Sequence, residues 1–278
     1  MITNDNLLTT NNWLVNTVRA LEASGIGTAR LDCLILLEDM TGKDRGWLLA
    51  HPETKLTGKQ QSKLANQIDK RIKHTPLAYV RGKSEFYGRE FIINEFVLEP
   101  RPESETMIGL LKTLPDNATI IDVGTGSGAL AITAKLEIPD ADVFATDIDR
   151  NCLKIAVQNA KKHNVNVSFY EGDLLKALPK NKFGSSSALL CNLPYVPDNY
   201  HINDAAMMEP KLAIFGGSDG LELYRQLFGQ IRNKKQANNP KFVLTESLPF
   251  QHQELAKIAK HAGYELRKTD DFIQLFQR

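Results

Sequence analysis

Asn192-Leu193-Pro194-Tyr195 ends an apolar run, Ala188-Leu189-Leu190-Cys191, and offers more to a reaction than any other stretch of the chain. Proline fixes its own φ and holds the preceding residue extended. Pro194 and Pro197 therefore stiffen the turn and hold Tyr195 and the neighbouring carbonyls in place. An asparagine amide both donates and accepts hydrogen bonds. Its oxygen, paired with the Leu193 carbonyl, can hold both N–H groups of a primary amide or an exocyclic amine, while an aromatic ring fixes the plane. The pattern suits a planar, uncharged nitrogen. Asparagine and proline are also common in turns with no chemistry at all, and on this stretch alone the two readings stand level.

The residues that tip the balance lie roughly sixty positions upstream. Thr119-Ile120-Ile121-Asp122-Val123 reads as a buried strand, followed by Gly124-Thr125-Gly126-Ser127-Gly128 and a helix from Ala129. Glycines at a strand-to-helix turn let the backbone approach a ligand closely. A second strand, Val143-Phe144-Ala145-Thr146-Asp147, ends in an acid about twenty residues on, where a ribose diol is bound in nucleotide-binding α/β units. The glycine spacing departs from G-x-G-x-x-G, and Asp122 adds a carboxylate that would repel a pyrophosphate but could help hold a cationic amino group. Both features favour S-adenosylmethionine, with S-adenosylhomocysteine as product. A third strand from Val167 is expected to end at Asp173, which can accept from an adenine amino group while Leu174 packs on the ring. Each piece has a bland alternative in tight turns and helix caps. Their order, each at a strand's carboxyl end, favours a ligand site.

The rest of the chain must position these groups. At 278 residues, with 42% hydrophobic and 24% charged, it is an ordinary globular chain of one or two domains. Its 34 basic and 33 acidic residues argue against a broad nucleic-acid surface. Three cysteines without a CxxC indicate neither a disulfide framework nor a zinc site. Met1-Ile2-Thr3-Asn4-Asp5-Asn6 lacks a signal-peptide pattern, and no apolar run is long enough to span a bilayer, so a cytoplasmic protein without membrane partners is expected.

Residues 1–75 read as a helical bundle. One apolar stripe is Trp13, Val15, Val18 and Leu21, a second is Leu31, Leu34, Ile35, Leu37 and Met40, and a helix over 59–73 carries Leu64, Ile68 and Ile72. Residues 76–98 read as a linker, Thr75-Pro76 to Arg81-Gly82, followed by a β-hairpin turning near Gly88. The catalytic-looking domain spans 99–278. It opens with Glu99-Pro100-Arg101-Pro102-Glu103-Ser104-Glu105-Thr106, a rigid charged run placed to wall a site. A helix over 150–163 should bury Cys152, Leu153, Ala156, Val157 and Ala160.

Asp122–Gly128 together with Asn192–Tyr195 resembles the class I S-adenosylmethionine-dependent methyltransferases that act on planar nitrogens. Flanking segments narrow this to the release-factor glutamine methyltransferases: Ala29-Arg30-Leu31-Asp32, Trp47-Leu48-Leu49-Ala50-His51-Pro52, Pro76–Gly82, Pro100–Thr106, and Glu209-Pro210 followed by Gly216-Gly217-Ser218-Asp219-Gly220. The resemblance runs from about residue 10 to 250. It implies a Rossmann-like seven-stranded methyltransferase sheet with a small N-terminal helical-bundle domain joined by a β-hairpin linker. It implies methylation of the glutamine side-chain amide in the Gly-Gly-Gln motif of class I peptide chain release factors. Asn192 and the Leu193 carbonyl would hold the amide, Pro194 and Tyr195 would shape its slot, and Arg101 and Glu103 would face the substrate. Asp122, Gly124, Thr125, Gly126, Ser127, Gly128, Asp147, Asp173, Leu174 and Asn192 would surround the cofactor. The bundle would help dock the release factor, and the enzyme would act as a monomer without a metal.

Two departures stand out. The family has Asn-Pro-Pro-Tyr where this chain has Leu193, and the C-terminus from Asp270 lacks the family's closing pattern. The Asn-Leu-Pro-Tyr form also occurs in ribosomal RNA adenine dimethylases, so an adenine-N6 methyltransferase acting on ribosomal RNA or DNA is the rival reading. A non-catalytic binding protein is a second. An amide nitrogen cannot be deprotonated near neutral pH, so no general base is expected, and His163, His201 and His252 are bystanders.

Overall fold

The computed structural model describes residues 8–115, 118–179, 187–202, 204–233 and 239–278. The segment Met1 to Asn6, read above for a signal peptide, lies outside the described residues. The chain divides into two compact units, 1–82 with 203–208, and 83–202 with 209–278.

The first unit holds α1 (Thr10–Ala23), α2 (Ala29–Thr41), α3 (Arg45–Ala50), α4 (Gly58–Ile72) and α5 (Leu77–Arg81). Side chains start three of them: Thr9 accepts from the Asn12 N–H, Asp44 from Trp47, and Thr57 forms a capping box with Gln60. The core joins Trp13, Leu14, Leu21, Leu34, Leu36, Leu37, Leu64 and Ile68. Val15 and Leu31, expected inside, are exposed. On α1 the buried positions are 10, 13, 14, 17 and 21, a strict helical stripe that Val15 misses by one residue. Residues 77–81, read as linker, form a helical turn with Val80 in the core, closed by Gly82 at φ 73°.

The second unit opens with the hairpin β1 (Lys83–Phe86) and β2 (Arg89–Ile92). Tyr87 and Gly88, both at positive φ, make its two-residue turn. A 3₁₀ turn (Pro102–Ser104) leads into α6 (Glu105–Lys112). Then follow β3 (Thr119–Val123), α7 (Ala129–Glu137), β4 (Asp142–Asp147), α8 (Arg150–Lys162), β5 (Ser168–Glu171) and β6 (Ser187–Cys191). After α9 (Asp204–Met207), in the stretch counted with the first unit, come α10 (Glu222–Arg232), β7 (Phe242–Glu246), α11 (His252–His261), β8 (Glu265–Asp270) and β9 (Ile273–Gln277).

The seven-stranded sheet has the order β5-β4-β3-β6-β7-β9-β8. All neighbours run parallel except β9, which is antiparallel to β7 and β8. Side chains alternate along each strand. Ile120, Val143, Ala188, Leu190 and Leu244 face one core with α6 and α7, while Ile121, Phe144, Leu189 and Val243 face another with α10 and α11. The strand order reverses between β3 and β6, and open α/β sheets bind ligands at the carboxyl ends there. The divergent C-terminus still forms the β8–β9 pair. On α8, Ile155 is buried and Val157 is exposed, the reverse of the expected stripe at that position. The third strand stops at Glu171, two residues short of Asp173, because Gly172 (φ 149°) and Leu174 (φ 48°) turn the chain there.

Candidate active site

A cavity of about 220 Å³ opens at the carboxyl ends of β3, β4 and β6, inside the second unit. The glycine turn forms one wall. Gly124 (φ 75°) and Thr125 both donate to the Thr146 carbonyl at 2.9 Å, which closes the turn onto the next strand. A Cβ on Gly124 would stand 3.0 Å from Leu193 Cδ2, so glycine lets the two site loops meet. Gly128 is off the wall. It starts α7 with φ 83°, and a Cβ there would press to 3.2 Å on the Ala156 backbone, so it is needed for α7 to pack on α8.

Asp147 lies on the wall and is 8% exposed. One carboxylate oxygen accepts from the Gly126 N–H at 2.8 Å and the other from Asp149 at 2.9 Å. Burial raises its carboxyl, and these backbone hydrogen bonds oppose the shift. Each oxygen keeps a lone pair for a hydroxyl, which suits a diol. Asp173 and Leu174 also reach the cavity. Asp173 accepts from Lys176 Nζ at 2.7 Å, while Leu174 is held on the wall in a left-handed backbone conformation.

Asp122 is not on the cavity wall. It is buried under α7, accepting from Thr125 Oγ1 at 2.6 Å and from the Ala131 N–H at 3.2 Å, and burial pushes its carboxyl up to about 7. Its Oδ2 ties the glycine turn to the first turn of α7, and its Oδ1 has no hydrogen-bond partner among the described residues. Glu103 is exposed and also off the wall. Arg101 reaches the cavity, but one guanidinium nitrogen donates to both carboxylate oxygens of buried Glu209, at 2.8 and 2.9 Å. Its charge is therefore committed within the protein. Among the described residues that line the cavity it is the one cation, so the site offers no free positive charge to a pyrophosphate.

The turn from Asn192 forms the opposite wall. Asn192 Nδ2 donates to Ser104 Oγ at 2.8 Å, and Ser104 Oγ donates to Glu246 Oε2 at 2.5 Å. The Tyr195 hydroxyl donates to the other Glu246 oxygen at 3.0 Å. Tyr195 thus lies off the wall, anchored behind it, while Leu193 and Pro194 line it. The Leu193 N–H, which a proline would lack, donates to the Tyr224 hydroxyl at 3.4 Å. That bond offsets part of the φ restraint lost with the family's proline.

Behind the turn, Val196 donates to the Ile214 carbonyl at 3.0 Å and accepts from Gly216 at 2.9 Å. Gln251 Nε2 donates to the Tyr195 and Asp219 carbonyls at 2.8 and 2.7 Å. Sequence reasoning assigns no role to Glu246, Tyr224 or Gln251, and it reaches Ser104 only as part of the Glu99–Thr106 run. Glu246 carried a signal, because it ends an apolar strand in a lone acid just as Asp147 does.

Residues 12–82 match the family model of the PrmC N-terminal domain, and residues 104–209 match that of the methyltransferase small domain. The release factor glutamine methyltransferase of Coxiella burnetii is 38% identical over 210 residues, covering 74% of this chain and 75% of the relative. The chain belongs to the release factor glutamine methyltransferase family. The Bacillus cereus member is 33% identical over 246 residues, covering 80% and 84%. A methyltransferase from Pyrococcus furiosus shares the fold, with a TM-score of 0.50 at 17% identity, over 79% of this chain and 97% of that one. As a member of the family the chain is a methyltransferase, and the glycine turn and the Asn192 turn line one cavity. Among the described residues, no helix is long and apolar enough to cross a membrane.

Proposed function

We propose that this enzyme transfers a methyl group from S-adenosylmethionine to the side-chain amide nitrogen of the glutamine in the Gly-Gly-Gln motif of class I peptide chain release factors, in the cytoplasm. The carrying observation is the orientation of Asn192: its Nδ2 is committed to Ser104, which leaves its oxygen as an acceptor at the cavity. Together with the Leu193 carbonyl it makes an acceptor pair matched to the two N–H groups of a primary amide. The names of the relatives support the release factor as substrate.

The cofactor would be held by Asp147 and the glycine turn, with Asp173 and Leu174 beyond, and when bound it supplies an electrophilic methyl group. The chain's own contribution is to hold a weakly nucleophilic nitrogen still. Acceptors aimed at its protons favour the positive charge that develops there. No base is required before attack. The helical first unit, none of whose described residues line the cavity, would offer surface to a large protein partner.

Asp147→Ala should weaken S-adenosylmethionine on the order of 1.5–3 kcal/mol, roughly ten- to a hundredfold, because a hydrogen-bonded carboxylate is lost. Calorimetry checks this, and unchanged affinity would move the ribose contact elsewhere, to Asp149 for instance.

The function is tested by incubating the enzyme with labelled S-adenosylmethionine and, separately, a whole release factor, a short Gly-Gly-Gln peptide and ribosomal RNA. Label should enter the glutamine amide, with kcat/KM for the whole factor at least about tenfold above the peptide, since a loop alone forgoes the docking surface. Preference for ribosomal RNA would overturn the assignment. Equal rates on peptide and factor would remove the docking role from the first unit.

A further inference from the structure

On the basis of that function, we infer that Glu246 is a positioning residue: through Ser104 it sets which end of the Asn192 amide faces the substrate. A carboxylate can only accept hydrogen bonds, and a serine hydroxyl has one proton to give. Glu246 takes that proton at Oε2 and the Tyr195 proton at Oε1. Ser104 is then left with lone pairs alone toward Asn192, so the asparagine must present its Nδ2 to Ser104, 2.8 Å away, and its oxygen to the cavity. The order of donors along Asn192, Ser104 and Glu246 is thus dictated from the buried end. Glu246 is not among the residues that line the cavity.

Protonating Glu246 reverses the order. One of its two hydroxyl partners must then become an acceptor. Among the described residues the Tyr195 hydroxyl donates to Glu246 alone, so turning it round would strand its proton. Ser104 has an alternative, because it can pass its proton to Asn192 once that amide rotates by half a turn. The rotated arrangement keeps every bond of the chain, with Glu246 donating to Ser104, Ser104 donating to Asn192 Oδ1, and Tyr195 still donating to Glu246. It also points Nδ2 into the cavity, where the N–H groups of a substrate amide find a donor in place of an acceptor.

The surroundings put this change within reach of ordinary pH. Glu246 has no solvent exposure, and burial pushes its carboxyl up to about 7 against the opposing Ser104 and Tyr195 hydrogen bonds. Glu103 from the turn before α6 raises it further and Arg101 from the same segment lowers it. From α10, the Tyr224 hydroxyl bonds to the backbone of Glu246, and Cys191 of β6 is a buried thiol held well above its usual range. On β9 the facing residue is Ile273, and His252 of α11 reaches the Ser247 carbonyl.

Glu246→Gln retains shape and hydrogen-bonding reach while fixing a donor at this position. In the full-length enzyme it should lower kcat on the release factor by about a hundredfold, with the KM for S-adenosylmethionine within a few-fold. The wild-type kcat should fall with one proton as pH drops below about 7, and this acid limb should be missing in Glu246→Gln. Ser104→Ala keeps the carboxylate and cuts the link, so its lower rate should also lack the limb. The side-chain amide resonance of Asn192, assigned by its loss in Asn192→Ala, should shift with a midpoint near 7 in the wild type and stay constant in both variants. A wild-type rate and acid limb in Glu246→Gln would overturn the inference. So would an acid limb that persists in Ser104→Ala, the variant that decides the question if Glu246→Gln melts early. The amide resonance needs no methyl acceptor, so it tests the Glu246 link even if label enters ribosomal RNA and the proposed function falls.

Discussion

Asn192→Ala should lower methyl transfer to the release factor by at least about a hundredfold while S-adenosylmethionine affinity stays within a few-fold. Removing a single preorganised hydrogen-bonding group from a charge-stabilising site typically costs about 2.7–4 kcal/mol of transition-state stabilisation. Here the alanine removes the acceptor that would hold the substrate amide, and it leaves Ser104 Oγ without the donor it now has at 2.8 Å. The cofactor contacts assigned to Asp147 and the glycine turn sit across the cavity and keep their own hydrogen bonds. Single-turnover rates at saturating cofactor separate the two effects, with calorimetry for binding. Cofactor binding lost in step with activity would mean that Asn192 belongs to the cofactor wall.

Much of this site could be read from the chain because strand ends carry their own signature. An apolar run that stops in Asp147 or in Asn192 shows a polar group at the rim of a sheet, and the structure puts both on one cavity. Asp122 lies off the cavity wall for a reason the same strand supplies. Alternation sends it to the face of Ile120, beneath α7, and the Ala131 N–H collects it there. Arg101 reaches the cavity as the sequence suggests, but its pairing with Glu209, 108 residues away, has no sequence signal because residue type carries no pairing information. Ser104 and Glu246 are separated by 142 residues. Alternation along β6 and β7 does place Asn192 and Glu246 on the same side of the sheet, the side toward α6, whose first turn follows Ser104. The left-handed backbone of Leu174 had no sequence signal, since leucine rarely adopts it.

Gly220→Ala should be nearly as damaging as the loss of Asn192, although Gly220 makes no contact with the cavity. Its φ is 79°, a conformation that alanine resists, and an added Cβ would lie far inside contact distance of the Tyr195 carbonyl and of Gln251 Nε2. Gly216 is in a similar position, with its Cβ driven into the Pro194 carbonyl. These backbone atoms cannot yield as a side chain end would, because Gln251 and the Val196 hydrogen bonds hold them from behind. The turn must therefore shift, and it carries Asn192 and the Leu193 carbonyl with it. Displacements of about 1 Å at a catalytic group cost on the order of a hundredfold, and overpacking costs about 1–3 kcal/mol of stability. The expected result is kcat/KM for the release factor down by about a hundredfold, a melting temperature lower by several degrees, and cofactor affinity within a few-fold. Gly229→Ala is the control: it sits inside α10 with nothing within 4 Å of an added Cβ. Alanine there should stabilise by about 0.5–1 kcal/mol through helix propensity and leave the rate alone. Gly220→Ala with wild-type kcat/KM would show that residues 216–220 do not brace the Asn192 turn, and the close fit of those glycines against Pro194 and Tyr195 would then serve the fold alone.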